Sequence, residues 1–163
     1  MKSLALIAVM LCLAGIPAAA RDVRFQQLDP HRYQSFVANW TPEDRPFCAV
    51  LRSAADWNRV LKPAPTMGGT RPFAPPAAFW RKHAILLLAR ILGAGDTATV
   101  FQVERVARDP GALRLDYRFA PTPPASSTMK WYLAVAVAKP LPPVARFRED
   151  GKIVCTVTPP RHP

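Results

Sequence analysis

Cysteine and histidine are the residues of this chain whose side chains could bind a metal, act as nucleophiles or transfer protons. The 163-residue sequence has three of each. No Cys-x-x-Cys motif occurs, so a redox-active cysteine pair is not expected. None of the histidines His31, His83 and His162 pairs with a cysteine or a carboxylate at a metal-ligand spacing. We therefore predict no metal centre.

Two pairs of adjacent carboxylates, Glu43-Asp44 and Glu149-Asp150, are candidates for acid–base chemistry. Both pairs fall in predicted loops, where solvated turns account for them. The sequence contains no nucleophile elbow, P-loop or dinucleotide fingerprint. We therefore predict that the protein is not an enzyme and holds no cofactor.

The first twenty residues have the pattern of a secretory signal peptide. Lys2 is followed by an apolar run from Leu4 to Leu13, and residues 18–20 are alanines of the kind that precede a cleavage site. The apolar run is shorter than the roughly 20 residues needed to span a bilayer. We predict cleavage after Ala20 and a periplasmic or secreted protein, and an uncleaved N-terminal anchor is the alternative.

Export would leave two cysteines in the protein. Cys12 lies in the leader, so Cys48 and Cys155 would remain. An even number of cysteines in an oxidising compartment indicates a disulfide, here closing a loop of more than a hundred residues. The alternative is two separate buried thiols.

The charge of the chain indicates an anionic partner or a basic, soluble surface. The formal net charge is +11, and the part after Ala20 keeps +10 because Lys2 is the only charge of the leader. An acidic protein or a lipid headgroup could be the partner, whereas export argues against nucleic acid.

Five residues are candidates for an interaction surface. Arg105, Arg114 and Arg118 are predicted to share a solvent-facing side of a hairpin, where Glu104 and Asp116 would partly neutralise them. Trp40 and Trp80 stand beside predicted loops and could be exposed anchors for a partner, with core positions as the alternative for each.

Short strands are the predominant predicted element after Ala20. Pro110 and Gly111 indicate a turn between strands 97–108 and 113–119, which predicts a β-hairpin. The apolar run 84–91 predicts a strand buried on both faces. Further strands are predicted at 23–28, 47–52, 131–139, 144–147 and 152–158, while residues 29–40 fit either a helix or a strand within 35–39.

One main helix is predicted to begin after Ser53 and to end before Pro63, and residues 77–82 are predicted to form one helical turn. Trp57 lies on the apolar face of the main helix. The strand 131–139 has alanines at alternate positions, which would allow this helix to pack closely. We predict a single exported α+β domain, 21–163, with a mostly antiparallel sheet or a small barrel-like β domain.

The order of these elements resembles the C-terminal domain of the protease-complex subunit PrcB and related small exported domains. The resemblance covers about 47–158. It rests on the segment Val50–Trp57, the Pro-Phe turn 75–79 before the apolar strand, the hairpin, and the strand that ends at Pro140. The segment 93–99 departs from the Gly-Gly-Tyr-like signature of that family. The resemblance implies a non-enzymatic accessory domain that binds or stabilises a partner protein, sometimes a protease.

These observations together predict a non-enzymatic exported domain that binds a protein partner in the bacterial envelope. A sheet edge or the proline-rich loops 62–76 and 121–129 would form the contact. The alternatives are a basic module that binds anionic lipid or lipopolysaccharide and an inhibitor of an extracellular enzyme.

Overall fold

A computed structural model describes residues 20–38, 46–64, 69–93, 100–121, 123 and 125–158. Residues 1–19 of the predicted leader, Trp40, Glu43-Asp44 and His162 lie outside the described residues. The strands are β1 (Arg21–Asp22), β2 (Phe25–Leu28), β3 (Ser35–Val37), β4 (Phe47–Leu51), β5 (Leu61–Pro63), β6 (His83–Gly93), β7 (Phe101–Asp109), β8 (Ala112–Phe119), β9 (Thr128–Ala138), β10 (Val144–Glu149) and β11 (Lys152–Val157). The helices are α1 (Ala54–Val60) and α2 (Ala77–Lys82).

Two sheets carry most of these strands. Sheet A has the order β1-β7-β8-β10-β11, sheet B has the order β2-β9-β6-β4, and β3 pairs with β5 in a separate ladder. All pairs are antiparallel except β8 with β10, which are parallel. The predicted α+β, mostly antiparallel architecture is confirmed. In the described part of the chain neither sheet closes into a barrel.

The main core lies between the two sheets. Alternate residues of each strand point to one face, so a strand with one buried face contributes every second side chain. Leu113, Leu115 and Tyr117 of β8 face this core, and Arg114 and Asp116 face away. The predicted hairpin is therefore confirmed as β7–β8, with Gly111 at φ 72° in its turn. The inward side chains from sheet B include Leu86, Leu88, Leu133, Val135 and Val137.

Strand β6 is buried on both faces, as its continuous apolar run predicts. Leu86 and Leu88 point between the sheets, whereas Ile85 and Leu87 point to the opposite side of sheet B. Residues 84–89 are all buried. Because both faces are covered, the strand has no polar alternation over this run.

An outer layer covers the face of sheet B that points away from sheet A. It consists of the segments 29–38, 52–64 and 69–82, which include both helices and the β3–β5 ladder. Trp57 of α1 is 1% exposed and packs in the same cluster as Ala134 and Ala136 of β9. Its indole nitrogen donates a hydrogen bond of 2.9 Å to the carbonyl oxygen of Phe73. The small residues of β9 thus admit the large indole, as predicted.

Local capping signals set the starts of two elements. The Ser53 hydroxyl accepts a hydrogen bond of 3.1 Å from the Asp56 amide, which confirms the predicted helix start. Asp29 similarly accepts from the His31 amide at 2.9 Å and begins a 3₁₀ turn at Pro30–Arg32. The segment then extends into β3, so it contains a single helical turn followed by a strand.

The predicted disulfide joins Cys48 of β4 to Cys155 of β11, with Cα atoms 6.3 Å apart. These strands are edge strands of sheet B and sheet A respectively. The bond therefore links the two sheets along one side of the domain. A disulfide is compatible with an oxidising, extracytoplasmic compartment.

Candidate functional site

In the part of sheet B that the structure describes, the first half of β9 has a neighbouring strand on one side only. β2 ends at Leu28, which lies opposite Ala134, but β9 begins at Thr128. Residues 128–133 therefore pair only with β6 among the described strands. On the side where β2 has ended, this half-strand presents an edge that the 3₁₀ turn Pro30–Arg32 and β3 approach. Apart from Lys130, which has an interaction of its own, its residues offer backbone groups that an extended segment can pair with.

β2 ends early because the next residues redirect the chain. Pro30 has a fixed φ and no amide hydrogen, so it cannot continue the ladder. The 3₁₀ turn at Pro30–Arg32 then leads the chain into the outer layer. This turn lies against β9, where the ring of His31 is 4.9 Å from the ring of Trp131. The local sequence Asp-Pro thus creates the open edge.

A cleft of about 390 Å³ opens beside this edge, at the mouth between the two sheets. We refer to it as the Trp131 cleft. Its lining includes the apolar side chains of Leu28, Phe101, Trp131 and Leu133. Asp29 and His31 also line it and can form hydrogen bonds with an occupant. A cleft that combines apolar and polar groups suits an apolar side chain attached to a polar backbone.

A second groove of about 270 Å³ lies on the other side of the same strand edge. His31, Trp131 and Tyr132 line both the groove and the cleft. The groove also includes Phe36 and Met129. The two concavities therefore flank one short strand edge.

The residues around β9 offer aromatic and hydrogen-bonding groups for a ligand. Within the described ranges, no group of three or more histidine, cysteine, aspartate or glutamate side chains could hold a metal ion. The His31 carbonyl oxygen accepts a hydrogen bond of 2.6 Å from Arg71, which ties the turn to the loop before α2. The turn beside Trp131 is thus anchored from the outer layer.

All three tyrosines of the chain have raised pKa values, because burial disfavours the charged phenolate. Burial raises the pKa of Tyr132 to about 12. For Tyr117, burial and the hydrogen bond that it donates to Glu149 both raise the pKa. Tyr33 shows a rise from burial, opposed by the charge of Arg32.

These shifts predict loss of stability in alkali. Above about pH 10 the unfolded chain releases tyrosine protons that the folded protein retains, so stability falls as pH rises towards the folded pKa values. We expect the tyrosinate absorbance near 295 nm to appear together with the loss of near-ultraviolet circular dichroism. In denaturant the same titration should have its midpoint near 10. A folded protein in which Tyr117 or Tyr132 titrates near pH 10 would contradict this.

The predicted arginine surface lies on the solvent face of sheet A, and its charges are largely compensated. Each arginine contacts a carboxylate: Arg105 contacts Asp22, Arg118 contacts Glu104, and Arg114 contacts Asp109 at 2.7 Å and Asp116 at 3.1 Å. The Arg114 side chain is 16% exposed. This surface therefore presents less free positive charge than the arginine spacing alone indicates.

The two tryptophans proposed as anchors have different outcomes. Trp80 is 7% exposed and packs with Trp57, and its indole nitrogen donates 3.2 Å to the Pro75 carbonyl oxygen. Trp80 therefore has the core position that was the alternative for it. Trp40 lies outside the described residues. Trp131, which the strand pattern places on the core face, is the half-buried tryptophan at the cleft.

An ion pair between the sheets corrects one sequence-based interpretation. Glu149 was predicted to lie in a solvated turn, but it ends β10, and its Oε2 accepts hydrogen bonds from Arg90 Nε at 3.0 Å and from the Tyr117 hydroxyl at 2.7 Å. The Arg90 and Glu149 side chains are only 18% and 15% exposed. Long-range pairing of β10 with β8 brings the carboxylate inward. The sequence signal that could have indicated this ion pair is Arg90, a charged residue at a position of β6 that faces the core.

The described helices are all too short or too polar to cross a membrane. No protein-family model, curated protein or solved structure matches this chain. The fold and the site define a two-sheet, disulfide-linked domain with a partly open strand edge.

Proposed function

We propose that this protein is a non-enzymatic exported domain that binds a partner protein by adding an extended partner segment to β9. The observation that carries the proposal is the edge of β9 beyond the end of β2, flanked by the Trp131 cleft and the second groove. The predicted leader and the disulfide support an envelope location. The resemblance of residues 47–158 to PrcB-like domains implies the same kind of role.

The geometry of a strand explains why both concavities matter. An added strand hydrogen-bonds through its backbone, and its side chains point alternately to the two faces of the sheet. One set would enter the Trp131 cleft between the sheets, and the other set would lie in the groove towards the outer layer. Backbone pairing would supply affinity, and the side chains in the cleft would supply specificity.

Trp131 is the expected anchor of the contact. Tryptophan is enriched among the residues that carry binding energy at interfaces, and truncating such a residue costs about 2 kcal/mol or more. We expect Trp131→Ala to weaken partner binding about thirtyfold. Trp131→Phe, which keeps an aromatic ring, should retain most of the affinity. Urea unfolding of both variants separates loss of binding from loss of folding.

Site-specific photo-crosslinking in the exported fraction tests the location. A photoreactive residue at Thr128, which is exposed on the open edge, should give a discrete protein adduct. The matched control is the same residue at Lys152, which is exposed on β11 of sheet A. The adduct from Thr128 should decrease with Trp131→Ala. Equal adducts from both positions, or none from Thr128, would contradict the proposal.

A further inference from the structure

We propose that the outer layer is a second binding surface, and that it docks on an anionic lipid membrane. The outer layer shares Phe36 and Arg71 with the second groove beside β9. The inference does not depend on the partner proposed above, because the vesicles that test it contain no partner protein. It rests on the distribution of charge and on two exposed phenylalanines.

The outer layer carries many cations and few carboxylates. Its exposed cations are Arg32, Arg59, Lys62, Arg71, Arg81 and Lys82. Its carboxylates are Asp29 and Asp56. Of the exposed cations, only Arg59 forms an ion pair with a carboxylate among the described residues. Among the residues that the structure describes, the positive charge of this layer is therefore largely uncompensated.

Sheet A, in contrast, pairs most of its arginines. Arg105, Arg114, Arg118 and Arg148 each have a carboxylate within ion-pair distance. Among the described residues, unpaired positive charge is therefore concentrated on the outer layer. The arginine spacing instead indicates the solvent face of sheet A.

Two aromatic rings lie exposed in this basic layer. Phe36 is 48% exposed and Phe73 is 44% exposed. In β3 the side chain of Val37 is fully buried, so Phe36 points away from the core towards solvent. Phe36 also lies opposite Lys62 in the β3–β5 ladder. An apolar ring and an ammonium group therefore occupy adjacent positions on the outside.

Hydrogen bonds connect the segments that carry the two rings. The Gln34 amide donates to the Pro72 carbonyl oxygen at 3.0 Å, which joins the chain before β3 to the loop of Phe73. The indole nitrogen of the buried Trp57 donates a hydrogen bond to the Phe73 carbonyl oxygen. These hydrogen bonds thus fix the backbone segments that carry Phe36 and Phe73.

Exposed aromatic rings among cations fit a membrane surface. Aromatic side chains insert at the boundary between headgroups and acyl chains, and each lysine or arginine near an anionic surface strengthens binding roughly fivefold. An anionic bilayer satisfies both requirements. An acidic soluble partner could also contact both the cations and the rings, because aromatic residues are enriched at protein interfaces. Binding of an acidic protein to this surface without binding to anionic vesicles would overturn the inference.

Vesicle binding by the full chain tests this inference. We expect binding to phosphatidylcholine vesicles that contain phosphatidylglycerol, and little binding to pure phosphatidylcholine. The triple variant Lys62→Gln/Arg81→Gln/Lys82→Gln should bind on the order of a hundredfold more weakly. The matched control Arg105→Gln/Arg118→Gln/Lys152→Gln removes the same charge from sheet A and should bind nearly as well as the wild type. All variants keep residues 1–20, so that any contribution of this apolar segment is common to them.

The role of the rings is tested separately. Phe36→Ser should weaken vesicle binding roughly tenfold, because part of a phenylalanine side chain no longer leaves water. The matched control is Ile153→Ser, which removes an exposed apolar side chain, 59% exposed, from sheet A. Binding should also decrease strongly between 0.1 M and 1 M salt, where the screening length falls from about 10 Å to about 3 Å.

The outcomes that overturn the inference are specific. Equal weakening by the two triple variants would show that net charge alone drives the binding. Binding to pure phosphatidylcholine, or binding insensitive to salt, would remove the role of anionic headgroups. Binding of an oligonucleotide through Lys62, Arg81 and Lys82 without binding to anionic vesicles would assign the surface to nucleic acid.

Discussion

Replacing Cys48 and Cys155 together with alanine is expected to lower the free energy of unfolding by about 4–5 kcal/mol. The disulfide closes a loop with a sequence separation of 107 residues. In the chain-entropy model, crosslinking a loop of this length removes much of the conformational freedom of the unfolded chain. The folded domain loses little by comparison, because β4 and β11 are each held in their own sheet.

The position of the bond indicates which part of the protein would respond first. Cys48 and Cys155 connect the β4 edge of sheet B with the β11 edge of sheet A. Without the bond, we expect the amides of β11 to exchange faster with solvent, because this edge strand pairs only with β10 among the described strands.

Urea unfolding of the double variant and of the wild type measures the effect. The wild type treated with reductant is the control, since it loses the bond and keeps both side chains. We expect the two bond-free forms to agree within about 1 kcal/mol and to melt roughly 10–20 °C below the oxidised protein. A loss below about 1 kcal/mol in the double variant would contradict the entropic account.

Replacing Glu149 with alanine is expected to cost about 3–5 kcal/mol of stability. The carboxylate accepts hydrogen bonds from Arg90 and from the Tyr117 hydroxyl. Its removal would leave the Arg90 guanidinium, 18% exposed, without its counter-charge between the sheets. Arg90 also lies 4.5 Å from the centre of the Phe119 ring, which cannot replace the carboxylate as a partner.

An apolar replacement of the whole group separates charge from packing. The triple variant Arg90→Met/Tyr117→Phe/Glu149→Leu removes both charges and the hydroxyl but keeps similar side-chain volumes. Replacing a complete buried ion pair by apolar side chains is often neutral or stabilising. We therefore expect the triple variant to recover most of the stability lost by Glu149→Ala. If both variants lose the same stability, the loss arises from packing and not from an unpaired charge.

Several elements could be predicted from neighbouring residues because their signals are local. The Pro-Gly turn between two alternating runs indicated the β7–β8 hairpin, and the Ser53 cap indicated the start of α1. The apolar run of β6 indicated burial on both faces. In β9 the alternation of large and alanine side chains correctly separated the face between the sheets from the face under Trp57.

The candidate site could not be predicted in the same way. The open edge depends on the offset between the end of β2 at Leu28 and the start of β9 at Thr128, which are a hundred residues apart in the sequence. The Trp131 cleft additionally requires Phe101 from sheet A. Glu149 was predicted to lie in a turn because its neighbours Asp150 and Gly151 indicate one, whereas its partners come from β6 and β8.

The sequence by itself determined the strand-rich α+β class, the hairpin, the main helix and the cysteine pair, since each depends on residue type or short-range periodicity. The tertiary structure alone decided which strand edge stays open, where the carboxylates neutralise arginines and on which face positive charge remains. The physical reason is that strand register and ion pairing join residues distant in the chain. For the same reason, Arg114 is a largely buried ion-pair partner on the outer face of sheet A and Lys62 is an exposed surface cation, although both are simply basic residues in the sequence.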